Sequence, residues 1–230
     1  MVTTHDGSLV AMVHCNNCTS DLNAWVNLFK EFSDLTGQKL DIGEIYNKLY
    51  TNALNGDTDC GGLLSYNYIS GEPVTGLAEG RPMFVRSAND KFNLANCMRV
   101  HLYGSIGVLK IGNDILIKEE HVKIDRITGH GGLFKTKGVG QRFLAAALNS
   151  PISVMETAGE GGAWGIALLA SFLVNNPSAQ TLPDWLETQV FAGNTGTSIA
   201  PTKEEVEGFN KYIEAYKKGL EIEKMAVERK

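Results

Sequence analysis

Apolar residues recur at helical spacing along SDLNAWVNLFKEFSDL, where Leu22, Trp25, Val26, Leu28, Phe29 and Phe32 share one side. Thr19 stands at the N-cap position and Gly37 where such a helix should stop, so an amphipathic helix is predicted there. Ile45, Leu49 and Leu54 mark a second helix over Ile42 to Leu54, closed by Asn55-Gly56. Before both, Leu9 to His14 reads as a strand that follows the turn dipeptide Asp6-Gly7. With only five residues ahead of that turn, its partner strand is expected to lie before Met1.

Gly61 to Ser70 and Pro82 to Val85 read as extended segments around the loop GEPVTGLAEGRP. A long helical stretch follows from Asn93 to Lys118, in which Gly104, Gly107 and Gly112 would let another element approach closely. The pattern then becomes regular. Strand Val122 to Thr128, a glycine loop, helix Val139 to Leu148, strand Ile152 to Glu156, a second glycine loop and helix Ala163 to Asn175 indicate an α/β sheet covered by helices. Past Pro177, Leu182 to Phe191 is a short helix and Gly193 to Ser198 a loop. Thr202 to Lys230 is a charged helix with Phe209, Tyr212 and Tyr216 on one side, which is expected to pack on the domain exterior.

Composition narrows the classes. At 230 residues and 43% hydrophobic content the chain can bury a substantial core. A net charge of −5 offers no general basic surface for nucleic acid or anionic lipid. No run approaches the roughly 20 apolar residues of a membrane span, and Met1 to Asp6 is unlike a signal peptide, so a cytoplasmic protein is expected. Of four cysteines, Cys15 and Cys18 form a CxxC, but Cys60 and Cys97 stand apart with no second pair. Buried free thiols are expected rather than a zinc or redox site.

The candidate chemistry lies in the two glycine loops. Gly129, Gly131 and Gly132 follow an apolar strand and precede a helix, a place where missing side chains let a planar ring or a phosphate reach the backbone. The same glycines also suit a tight turn. The loop fits neither the dinucleotide fingerprint nor the P-loop, which needs Lys-Ser or Lys-Thr immediately after its last glycine. In the second loop, Gly162, Ala163, Gly165 and Ala167 leave so little bulk that close packing of another element is expected. Asp125 lies within the apolar strand and Glu160 next to glycines, and neither has a second group placed to form a catalytic pair.

The order of these motifs resembles the C-terminal domain of the FGGY carbohydrate kinases. NNCTSDLNAW, Asn16 to Trp25, is similar to that family's helix start ending in Trp. ISGEPVTGLAEGRPMF, Ile69 to Phe84, resembles its SGE-bearing loop. Gly129 to Leu148 with Glu156 to Ala170 resembles its adenosine loop and the later GGAxGxA segment, so the likeness runs from Leu9 to Asn175. TLPDWLETQVF looks most like the xylulose and ribulose kinases.

The resemblance implies a ribonuclease H-like, actin-type ATPase domain, a mixed sheet with helices on both faces, over residues 1–176. Residues 177–230 would form a helical extension packed on it. It further implies transfer of the ATP γ-phosphoryl group to a sugar hydroxyl with Mg²⁺ bridging phosphates. In that scheme Gly129, Gly131, Gly132, Lys135 and Thr136 bind adenosine, with Asn17 and Asn23 on the opposite wall unless they serve as cap or turn residues. His130 is expected to point away from the adenine. Glu72 is a loop contact or an interdomain residue. The family's sugar contacts and catalytic aspartate belong to an N-terminal half not found here, so the chain alone is expected to be inactive, with a sugar reached only through that half. The alternatives are a binding or assembly module that self-associates through an exposed sheet edge, and an unrelated α/β nucleotide-binding enzyme.

Overall fold

A computed structural model describes residues 2–4, 7–156, 158–176, 179–193 and 196–229. Two short strands, β1 (Val2–Thr3) and β2 (Leu9–Val10), pair antiparallel at the start, Val2 opposite Val10 and Thr3 opposite Leu9. The partner of the Leu9 strand therefore lies within the chain, not before Met1, and the strand stops well short of His14. The amide of Gly7, at φ +84°, donates to the Thr4 carbonyl and closes the turn; Asp6 lies outside the described residues.

Helix α1 (Ser20–Leu35) buries Leu22 and Val26, whereas Leu28 and Phe32 of the predicted apolar side stay exposed. Thr19 makes no side-chain cap hydrogen bond, so the expected cap is not realised. Helix α2 (Ile42–Ala53) is capped by Asp41, whose carboxylate accepts the Gly43 amide at 2.8 Å. Strands β3 (Leu64–Tyr66) and β4 (Met83–Val85) form an antiparallel pair.

Helix α3 (Leu94–Asp114), capped by Asn93, is buried on nearly every side from Asn96 to Val108 and forms the centre of the core. Its glycines work as expected: a Cβ at Gly104 would stand 2.9 Å from the Ser65 carbonyl oxygen, and one at Gly107 would meet the Tyr216 ring at 3.4 Å. The helix ends in a wide turn over Ile115–Glu119.

The second half holds a three-stranded sheet in which β5 (Ile127–Gly129) runs parallel to β6 (Ile152–Val154), as the strand and helix rhythm predicts. Helix α4 (Val139–Leu148) joins them. Strand β7 (Thr197–Ile199) adds antiparallel to β6, which corrects the loop expected over Gly193 to Ser198. The strand expected from Val122 begins only at Ile127, and Asp125 before it is exposed rather than set in a strand. Among the described residues no strand pairs with the outer side of β5.

Ile127, Ile152 and Val154 turn toward the core and α4, while Thr128 and Ser153 point the other way, toward α5 (Gly161–Val174) and α6 (Leu182–Trp185). Helix α7 (Lys203–Glu228) starts with a capping box between Thr202 and Glu205 and crosses back onto α3, α4 and β3. Phe209, Tyr212 and Tyr216 are buried, and Tyr216 stacks on Tyr66 with ring centroids 4.8 Å apart. Among the described residues no helix is long and apolar enough to cross a membrane.

Candidate functional site

Strands β5 and β6 end side by side, so the loops that leave their carboxyl ends meet. In open parallel sheets that is where ligands bind, because the crevice is lined by backbone amides and helix starts. The Gly131 amide donates to the Ala158 carbonyl oxygen at 2.7 Å and ties one loop to the other. Gly131 has φ +107° and ψ −179°, a conformation in which any Cβ is strained. It is followed by a single tight turn over Gly132–Phe134, in which the Phe134 amide bonds to the Gly131 carbonyl and the Lys135 amide to that of Gly132.

The three glycines do different work. A Cβ on Gly129 would run into the Phe134 ring, so Gly129 is a packing glycine. Around Gly131 and Gly132 nothing lies within 4 Å of where a Cβ would stand. Those two positions therefore leave open backbone that a ligand could approach. The aliphatic stem of Lys135 passes 3.4 Å from the Cβ position of Gly159, again joining the two loops, and Thr136 is buried at the start of the turn into α4. Gly129, Gly131, Gly132, Lys135 and Thr136 are thus one constellation.

Asn17 and Asn23 lie elsewhere. Asn17 is buried, its Oδ1 accepts the amides of Ile69 and Ser70 at 2.9 and 3.0 Å, and its Nδ2 donates to the Ser70 carbonyl. Glu72, wholly buried, answers with Oε2, which accepts the amides of Asn16 and Asn17 at 2.8 and 3.2 Å. Asn17 and Glu72 form a reciprocal clamp between the segment before α1 and the loop after β3. Asn23 accepts the Tyr46 hydroxyl at 2.7 Å, a contact between α1 and α2.

Beneath β5 and β6 lies a cavity of about 720 Å³. Arg126, Thr128 and His130 line one wall, and Trp164, Leu186 and Phe191 form part of the other. His130 thus lies with Arg126 and Thr128 on the sheet's outer face, along the cavity. Residue alternation along β5 could have indicated this, since positions 126, 128 and 130 share one face.

One residue that sequence reasoning passed over shapes the site. Gln141, buried in α4, donates from Nε2 to the Ile152 carbonyl at 2.6 Å and the Thr197 carbonyl at 2.8 Å, holding β6 and β7 to the helix. A lone glutamine in an apolar helix gave no hint of that role. Glu160 has no described side chain.

All four cysteines are free thiols. Cys60 and Cys97 are buried as expected, but Cys15 is half-buried and Cys18 exposed. Burial and the Glu72 charge push the Cys15 thiol up to about 12, which keeps it from acting as a thiolate near neutrality. Among the described residues no three His, Cys, Asp or Glu side chains gather as a metal site.

The profile of the FGGY family of carbohydrate kinases, C-terminal domain, matches residues 1–174. Among solved structures, the xylulose kinase of Rhodospirillum rubrum matches with a TM-score of 0.63 and 18% identity over 88% of this chain. The gluconate kinase of Lactobacillus acidophilus gives 0.62 and 21% over 88%, and the glycerol kinase of Plasmodium falciparum with ADP gives 0.59 and 16% over 85%. The chain spans 37% of the length of each of these three. Comparison with curated protein sequences gives no match.

Proposed function

This chain belongs to the FGGY family of carbohydrate kinases, and on that premise we propose that it is the nucleotide-binding half of a sugar kinase, with a ribonuclease H-like, actin-type architecture. The reaction served is transfer of a phosphoryl group from ATP to a sugar hydroxyl. The observation that carries the reading is the pair of glycine loops at the carboxyl ends of β5 and β6, joined through Gly131 and Ala158, with open backbone at Gly131 and Gly132.

In this reading the adenosine edge lies against Gly131 and Gly132, where no side chain stands in the way. Lys135 and Thr136, at the turn into α4, orient the nucleotide. Mg²⁺ would be held by the nucleotide phosphates and would neutralise their charge. Phosphoryl transfer of this kind relies on positioning and charge neutralisation. Such a chain contributes the positioning; the base and the sugar contacts come from the rest of the kinase. A pentulose is the preferred substrate class, on the likeness of TLPDWLETQVF to xylulose and ribulose kinases, and the protein is read as a cytoplasmic one.

Asn17 drops out of the nucleotide wall in this account, since the loop clamp already uses its amide group on both sides. Asn23 likewise serves the α1 and α2 contact. Ligand-observed NMR with ADP tests the proposal. Saturation transfer to the adenine protons is expected, and its absence at millimolar ADP would leave the glycine loop as a structural turn.

A further inference from the structure

The two faces of the β5 and β6 pair are built differently. Inward, Ile127, Ile152 and Val154 pack on the core. Outward, Arg126, Thr128 and His130 alternate along β5 and its ends, and Ser153 stands beside them on β6. Parallel strands covered by helices on both faces ordinarily carry apolar residues on both, so that the layers close on one another. Here the outer layers stay apart, and the cavity of about 720 Å³ between them has the size of a small-molecule site.

The walls divide the chemistry. Trp164, Leu186 and Phe191 give the helical wall its aromatic and apolar surface, and Glu187 adds a carboxylate to it. An edge-to-face contact with Phe191, ring centroids 5.7 Å apart, holds the Trp164 ring in place. On the sheet wall Arg126 can only donate hydrogen bonds, while Thr128, His130 and Ser153 donate or accept; ionised Glu187 can only accept. Among the described residues the side chains of Arg126, Thr128, His130 and Glu187 have no hydrogen bond or ion pair of their own, and Ser153 reaches only Ser198, at 3.4 Å. These groups line a cavity and are uncommitted.

That mixture selects a ligand class. An anion would be drawn to Arg126 and opposed by Glu187, and a cation would meet the reverse conflict. A neutral molecule rich in hydroxyl groups satisfies both walls, because every hydroxyl donates and accepts. The polar groups are also spread out, since positions 126, 128 and 130 cover about 13 Å of strand. They suit a ligand with polar atoms all around its body, unlike a nucleobase, which keeps them along its edges. The electron-rich face of Trp164 suits the C–H groups of a saturated ring. We propose that this cavity is a carbohydrate-binding site, in which Trp164 carries one face of a sugar ring and Arg126, Thr128, Ser153 and Glu187 bond its hydroxyls. It is separate from the glycine loop and additional to any sugar contacts from the rest of the kinase, and it does not depend on the nucleotide reading.

Saturation-transfer NMR on the full chain tests it, with D-glucose and D-xylose as probes at tens of millimolar and glycerol as a control that has hydroxyls but no ring. Transfer to the ring C–H protons of at least one sugar is expected, and little to glycerol. Trp164→Leu should weaken sugar binding about tenfold, and Trp164→Phe much less. Should Trp164→Leu unfold, Arg126→Gln and Glu187→Gln keep the test, because both side chains are exposed. Each should weaken binding about threefold with an unchanged circular dichroism spectrum. No transfer to either sugar overturns the proposal, as does transfer that both glutamine variants leave intact, or equal transfer to glycerol. Displacement of the sugar by ADP overturns the separation of the two sites and the proposal with it, whereas a failure of ADP to bind bears on the glycine loop alone.

Discussion

The backbone amide of Gly131 donates to the carbonyl oxygen of Ala158 at 2.7 Å, across the ends of two parallel strands. That one bond joins loops separated by a whole helix in sequence and sets the Gly132 turn at the edge of the crevice. Because Gly131 adopts φ +107°, the geometry that makes the bond is available to glycine and strained for other residues.

Substitution at Gly132 should therefore affect ligand more than fold. Weak binding is expected for ATP, ADP and AMP alike, with a dissociation constant on the order of millimolar, about −4 kcal/mol, because one wall of a cleft buries only part of the nucleotide. Gly132→Val places a branched side chain in the open space and should reduce affinity at least tenfold in titration calorimetry, with the circular dichroism spectrum unchanged. Equal affinity in parent and variant would remove Gly132 from the site.

Turnover should be absent from the isolated chain. Incubated with ATP, Mg²⁺ and a panel of pentuloses, it is expected to release no ADP above background in a coupled assay. Steady ADP release that depends on sugar would show that a base is present within these 230 residues.

The hydrogen bonds from Gln141 make a stability prediction. Gln141→Met keeps the volume but removes the donor that serves the Ile152 and Thr197 carbonyls, both met at hydrogen-bond distance in a buried setting. The expected cost is about 1–3 kcal/mol. It should appear as a lower urea midpoint with an unchanged slope.

His101 supplies a pH dependence. Its ring stacks on Trp25 at 4.2 Å, its Nδ1 lies 2.9 Å from the Ser65 hydroxyl, and burial holds its pKa down to about 3 from the ordinary 6.5. The unfolded chain thus takes up the proton first. Its contribution is complete above pH 6.5 and is lost as pH falls toward 3, by at most about 1.4 kcal/mol per pH unit. His101→Gln should shrink the difference between urea midpoints at pH 7 and pH 5, and an unchanged difference would mean that the imidazole is not held neutral.

Local sequence fixed the helices well, because their signals lie within a few residues of one another. Val139–Leu148 is bounded as its apolar spacing predicts, and the order of strands 127 and 152 around it gave a parallel pair. The same spacing marked Gly104 and Gly107 as places of close approach. Short strands were harder. Thr197–Ile199 carries no pattern long enough to separate it from a loop, and only its pairing with β6 makes it a strand. The Val2–Thr3 partner of Leu9–Val10 was likewise invisible in so few residues.

For the site, the residue types were legible and their grouping was not. Glycines after a strand identified Gly129, Gly131 and Gly132 as one candidate loop, since conformational freedom is a property of each residue alone. Which of them packs and which stays open depends on where Phe134 and Ala158 arrive, and those distances exist only once the chain has folded. Asn17 shows the limit from the other side. Its amide looked available beside a helix start, but a loop more than 50 residues away satisfies both its oxygen and its nitrogen. Helical spacing placed the apolar residues of α1 on one face. Only tertiary packing decided that Leu22 and Val26 are covered while Leu28 and Phe32 meet water, because burial depends on which other elements reach a face and not on the face itself.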